Sequence, residues 1–263
     1  MTATTTDLVL RDVRDGVCVL TLNRPERMNA WTQPLEDRYF DLLAEADADP
    51  DTRVVVVTGA GRGFCPGFDM EALAKLGGGS AEGFTAPSRP QTFPLTIRKP
   101  IVAAINGACA GIGLVQALMC DVRFAANGAK FTTAFARRGL VAEHGSSWLL
   151  PRLVGPAHAL DLLLSGRVFL AEEAERIGVV NRALEPENLL EHALLYARDV
   201  AEHCSPASLA VMKGQIHRDL ERGLDEAVED ANRLMAESFG RPDFGEGVQS
   251  FVERRPPRFA PLD

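Results

Sequence analysis

The 263-residue chain has no CxxC pair. Its five cysteines (Cys18, Cys65, Cys109, Cys120 and Cys204) stand apart, and an odd number leaves one unpaired in any disulfide scheme. That argues against a disulfide framework and against a thiolate metal site. Four of the five lie in apolar stretches, where a free cysteine behaves as a small hydrophobe. Reduced thiols of this kind point to a cytoplasmic protein. Basic charge is also in deficit: 28 Lys and Arg stand against 36 Asp and Glu, a formal net charge of -8. A nucleic-acid partner is therefore not expected, since it calls for a basic face. An anionic small ligand stays open, because local cations and backbone N–H groups decide that. The N-terminus, MTATTTDLVL, lacks the basic start and apolar run of a signal peptide. One long uncharged run exists, residues 101–120, but glycines, Asn106 and Gln116 interrupt it. It reads as a buried strand, a glycine turn and a buried helix, so no membrane partner is expected.

What is present is a chain 46% hydrophobic and long enough for one sizeable core. Residues 17–23 (VCVLTLN) predict a strand and residues 33–48 a helix with Pro34 in its tolerated first turn. Residues 53–59 (RVVVVTG) and 101–105 (IVAAI) predict fully buried strands, and DVRFAA and KFTT shorter ones. After Gly145 the pattern turns helical, in the segments SSWLLPRLVG, PAHALDLLLSG and AEEAERIG, and from Pro186 onward it is helical almost throughout. The expected architecture is an α/β core over residues 1–185 and a helical region over 186–263. Residues 76–93, rich in Gly, Ser and Pro, predict a mobile loop over a pocket.

Strand, glycine turn and helix occur twice, in RVVVVTGAGRGFCPGFDM and IVAAINGACAGIGLVQALMC. Glycines at 59, 61 and 63 miss the GxGxxG spacing of a dinucleotide site, and neither turn carries the GK[ST] of a phosphate loop. Such turns can instead aim free backbone N–H groups at a developing oxyanion. They can equally serve close packing alone, and spacing does not separate the two. The stretch GLVAEHGSSW holds one acid, Glu143, beside His144. By itself it reads as an idle carboxylate near a helix N-terminus rather than as a catalytic acid.

The segments NRPERMNA, VVVVTGAGRGFCPGFDM, KPIVAAINGACAGIG, CDVRFAA, RGLVAEHGSSWLLPRLVG and EGVQSFVERRPPRF, in this order over nearly the whole chain, resemble the crotonase superfamily, the enoyl-CoA hydratase/isomerase family. The resemblance implies a ClpP/crotonase-like spiral of ββα units with a helical C-terminal subdomain that forms trimers or hexamers. It implies an acyl-CoA thioester as substrate, with coenzyme A as part of that substrate and no separate cofactor or metal. The thioester oxygen would lie between the backbone N–H groups of Phe68 and Ile112, which follow Gly67 and Gly111. Arg27, Met28 and Ala30 would face the CoA, Asp69 and Met70 would line the same cleft, and Lys213 and Arg255 are further candidates for the phosphates.

The family's hydratases use two glutamates, and the matching positions here are Val115 and Phe135. Ordinary enoyl-CoA hydration is thereby disfavoured. Glu143 resembles instead the single glutamate of the Δ3,Δ2-enoyl-CoA isomerases. Leu140, Val141 and Ala142 are expected to desolvate it, raising its proton affinity towards that of a working acid–base. His144 matches no catalytic position and is expected to point away, as pocket rim or a structural histidine. Trp148 is expected in the core. The leading reading is an isomerase. The alternatives are an acyl- or aryl-CoA hydrolase of the dehalogenase type and a non-catalytic acyl-CoA binder.

Overall fold

The chain opens with two strands, β1 (Val9–Arg14) and β2 (Val17–Leu22), paired antiparallel with Arg14 opposite Val17. Asp15 and Gly16 between them both have positive φ, 51° and 76°, which suits the two-residue turn whose twist matches a hairpin. Sequence reading finds β2 and misses β1, whose VLRDVR pattern carries three charges on a largely exposed edge strand. The computed structural model describes residues 8–71 and 89–262, so the predicted loop at 76–93 lies mostly outside the described residues.

Helix α1 (Gln33–Ala48) follows, started by Thr32, whose hydroxyl accepts from the Leu35 N–H. It buries Leu35, Tyr39, Phe40, Leu42, Leu43 and Ala46 on one face. Strand pairs then alternate: β3 (Val54–Gly59) with β4 (Gly63–Cys65), β5 (Ile101–Ile105) with β6 (Ala108–Ala110) and helix α2 (Ile112–Leu118), and β7 (Val122–Ala126) with β8 (Lys130–Thr132) and helix α3 (Ser146–Ser165). The first strand of each pair enters one sheet and the second enters another. The six-stranded sheet has the order β1-β2-β3-β5-β7-β10, and the four-stranded sheet β4-β6-β8-β9. Short β9 (Phe169–Leu170), helix α4 (Ala171–Ile177) and β10 (Arg182–Leu184) complete them. All contacts in the larger sheet are parallel except β1–β2. Its central strands β3 and β5 are buried almost throughout, which is why they read as unbroken apolar runs rather than alternating ones. The three-residue strands β4 and β6 sit inside the glycine-rich turns, too short to leave a pattern of their own.

Helix α3 is two helical segments joined at Gly155, whose backbone (φ 75°, ψ 161°) is not helical, with Pro156 opening the second. Trp148 on it is half-buried against the core, with the Arg152 guanidinium 4.0 Å from its ring centre. Helix α5 (Pro186–His203) lies on the six-stranded sheet, against β2, β3, β5 and β7, and buries Leu189, Ala193, Ala197 and Ala201. Helices α6 (Pro206–Asp219), α7 (Leu224–Phe239) and α8 (Pro242–Glu253) bury very little by contrast. Met235, Phe239, Phe244, Val248, Phe251 and Val252 on them are exposed.

Candidate active site

Both glycine turns end at one place. A Cβ placed on Gly67 would stand 3.4 Å from the Ala110 carbonyl oxygen, and one on Gly111 would stand 3.8 Å from Gly67 Cα. The two residues have φ of 112° and 50°, the second with ψ of -125°, a backbone that side chains do not tolerate. Glycine at both positions therefore lets the turns meet and also sets their direction. Two asparagines, Asn106 half-buried and Asn29 buried, hold them. Asn106 accepts from the Gly59 N–H (3.2 Å) and donates to the Gly59 and Gly61 carbonyls (both 2.9 Å). Asn29, fully buried with φ of 64°, donates to the Ala60 and Gly63 carbonyls and accepts from the Arg24 N–H. Sequence reading missed both roles. Asn is among the few residues that enter the left-handed region readily, and that is the only signal Asn29 offered.

The free donors follow from this backbone. Trp31 bridges Phe68 in parallel fashion: the Trp31 N–H donates to the Gly67 carbonyl (2.8 Å) and the Trp31 carbonyl accepts from the Asp69 N–H (2.9 Å). Alternate groups of an extended chain point opposite ways, so the Phe68 N–H is turned from Trp31. Ile112 is the first residue of α2, where an N–H has no acceptor within the helix. Among the described residues neither N–H makes a hydrogen bond.

A cavity of about 430 Å³ opens over this junction, lined by Arg27, Met28, Ala30, Gly67, Phe68, Asp69, Met70, Gly111, Ile112, Phe135 and Glu143. All of these are expected site residues, while Val115, expected with them, is buried in α2 and does not line the cavity. Leu140, expected beside Glu143, also lines it, as do Pro66, Glu71, Thr133, Ala134 and Arg138, which were not anticipated. Lys213 and Arg255, expected near the phosphates, do not: Lys213 Nζ is 2.7 Å from Asp121, and Arg255 clamps Glu246.

Among the described residues three carboxylates line the cavity, and their partners differ. Asp69 is paired at 3.1 Å with Arg24, which is largely buried rather than solvated and also donates to the Ala30 carbonyl. Glu71 is paired at 3.0 Å with Arg27 on the exposed rim. Glu143 meets no arginine; its Oε2 is 3.6 Å from His144 Nε2. The expectation that His144 points away is therefore corrected. His144 has φ of 54°, followed by Gly145 at 81°, and this left-handed pair folds the ring back beside the carboxylate. The expected apolar enclosure is corrected too: Leu140 is 42% and Val141 79% exposed, so neither wraps Glu143, whose side chain is 32% exposed.

At the two positions expected to match the hydratase glutamates, Phe135 presents a buried ring to the cavity and Val115 a buried isopropyl group to the core. Cys65, two residues before Gly67, is fully buried, and burial pushes its thiol up to about 12, so it stays a neutral thiol beside the donors. Among the described residues no group of three His, Cys, Asp or Glu could hold a metal ion, and no helix is long and apolar enough to cross a membrane.

A family model described as enoyl-CoA hydratase/isomerase matches residues 12–261. The chain belongs to the enoyl-CoA hydratase/isomerase family. Its fold is the α/β crotonase fold, with two mixed sheets and a C-terminal helical region. Among its relatives is the probable enoyl-CoA hydratase echA8 of Mycobacterium bovis, 35% identical over 97% of each chain. Another is the 1,2-epoxyphenylacetyl-CoA isomerase of Escherichia coli, 35% identical over 96% of this chain and 98% of that one. Among solved structures, an enoyl-CoA hydratase EchA12_1 from Mycobacterium marinum is 51% identical, covers 82% of this chain and 100% of its own, and superposes with a TM-score of 0.71. The relatives thus carry hydratase names and one isomerase name, none of them that of a Δ3,Δ2-enoyl-CoA isomerase specifically. An acyl-CoA-binding enzyme of this family is what they establish.

Proposed function

We propose that this protein is an enoyl-CoA isomerase that moves a double bond from the 3- to the 2-position of an acyl-CoA thioester. One observation carries the reading. Among the described residues three carboxylates face the cavity and Glu143 is the one that no arginine holds, while Val115 and Phe135 stand where the hydratase glutamates are expected. The thioester oxygen accepts from the Phe68 and Ile112 N–H groups, which acidifies C2–H. The Glu143 carboxylate takes the C2 proton, and the electron pair spreads over the dienolate, its charge concentrated on the oxygen between the two donors. The carboxylic acid then returns the proton at C4. The C2–H and C4–H bonds exchange, the double bond shifts into conjugation, and the carboxylate is regenerated. One acid suffices, because the proton that leaves is the proton that returns.

Arg27, Met28 and Ala30 on one wall would hold the CoA, with Arg27 released from Glu71 towards a phosphate. The exposed apolar faces of α6, α7 and α8 support self-association as a trimer or a pair of trimers through residues 186–263. The hydratase names of the relatives make hydration the competing reading. Purified protein and the Glu143→Gln variant, each given a 3-enoyl-CoA and a 2-enoyl-CoA, separate the two. Formation of the 2-enoyl thioester by wild type and not by the variant is expected. Rapid hydration of the 2-enoyl substrate by wild type would overturn the assignment.

A further inference from the structure

The proton-transfer step asks more of Glu143 than an available carboxylate. Its oxygens must reach C2 and then C4, and a misplacement of about 1 Å at such a step can cost 10²-fold. Glu143 lies in a turn, not on a strand or within a helix. Its carbonyl accepts from the Ser146 N–H at 3.0 Å, which ties down its backbone and leaves its side chain free to rotate. Among the described residues the only side chain in polar contact with the carboxylate is His144, at 3.6 Å, too long for a hydrogen bond and close enough to become one with a small rotation.

The backbone beneath that contact is unusual. His144 holds φ of 54°, in the left-handed region that histidine enters more readily than most side chains, directly before Gly145 at 81°, where the long helix α3 begins. Glycine or asparagine would occupy this left-handed position with less strain. Here the left-handed turn lays the imidazole against Glu143, and both side chains are about one-third exposed.

From the ring contact and the left-handed backbone that produces it, we infer that His144 is a positioning residue for Glu143: it restricts the carboxylate to the rotamer in which one oxygen meets the ring and the other faces the cavity. The inference rests on the reading of Glu143 as the acid–base. A ring with its proton on Nε2 donates to Oε2, and this directs the second oxygen to the substrate carbon. The ring itself takes no proton from the substrate.

Two substitutions test this without straining the backbone. His144→Gly removes the ring, and His144→Asn keeps an N–H donor on a residue that accepts a positive φ. Steady-state kinetics on a 3-enoyl-CoA, with Glu143→Gln alongside and the thermal midpoint of each variant measured, should give a kcat for His144→Gly about 10- to 100-fold below wild type. KM should stay within about threefold, and His144→Asn should recover much of the lost kcat. Independently of turnover, the ¹⁵N resonance of the His144 ring should move in Glu143→Gln. Wild-type kcat in both His144 variants, a loss confined to KM, or an unmoved ring resonance would overturn the inference. If Glu143→Gln is inactive while the His144 variants are not, only the positioning role fails. If Glu143→Gln is as active as wild type, the isomerase reading itself fails.

Discussion

The two walls of the cavity are built by different means. The wall that presents Phe68 and Ile112 offers backbone N–H groups, fixed by Gly67 against Gly111, by Asn29 and Asn106, and by the Trp31 bridge. The facing wall offers a side chain, Glu143, from a turn whose neighbours Leu140 and Val141 are exposed. The first wall is part of the core and tolerates little change. The second can exchange one side chain for another with small effect on the fold. A family that keeps thioester binding and varies its chemistry on one scaffold needs this division: geometry in the backbone, reaction in a replaceable side chain.

The largest expected effect falls on the replaceable wall. Glu143→Gln should lower isomerase turnover by about 10²–10⁴-fold and leave the thermal midpoint near that of wild type, as assays of activity and unfolding will show. Gly113→Ala should do the reverse. Its Cβ would stand 2.3 Å from the Cys65 carbonyl oxygen, a clash with backbone that must move. A loss of about 2–3 kcal/mol in denaturant unfolding is expected. An intact fold in Gly113→Ala would show that the backbone wall is more pliant than its contacts imply.

Asp69→Ala should cost somewhat less, about 2 kcal/mol, since it leaves the largely buried Arg24 guanidinium without its partner at 3.1 Å. Urea titration measures it, and Arg24→Met with Asp69→Ala in one chain should recover part of the loss. Ile112→Val should change kcat by less than about threefold, because only the backbone of that residue is used. The smallest effect is chemical. With burial holding the Cys65 and Cys120 thiols up near 12, both stay protonated throughout the ordinary working pH range. Alkylation of native protein at pH 8 should therefore spare them and reach half-buried Cys204 first, a pattern read by peptide mass.

Much of this was legible from residues alone. RVVVVTG and IVAAI are fully apolar because parallel strands are covered on both faces, and the helix at 33–48 carries its own start signals. β4 and β6 were not legible, because three residues inside a glycine-rich turn show no period, and two-residue β9 was too short to show one. At the site, the glycine turns announced free N–H groups but not that the two sets meet. Nothing local marks the ion pair of Arg24, since its partner is 45 residues away in the chain. His144 was misjudged because adjacent side chains diverge in ordinary backbone, and only its left-handed φ brings it to Glu143.

The sequence by itself thus determined what is local or periodic. It set which runs are buried strands, where helices start, that no carboxylate stands at positions 115 and 135, and that one does at 143. Tertiary structure alone decided which of these groups face one another. Arginines engage Asp69 and Glu71 and leave Glu143 to His144. The physical reason is that hydrogen bonds and ion pairs act over a few ångströms between segments far apart along the chain. Their pairing exists only once the sheets have brought both glycine turns to one point.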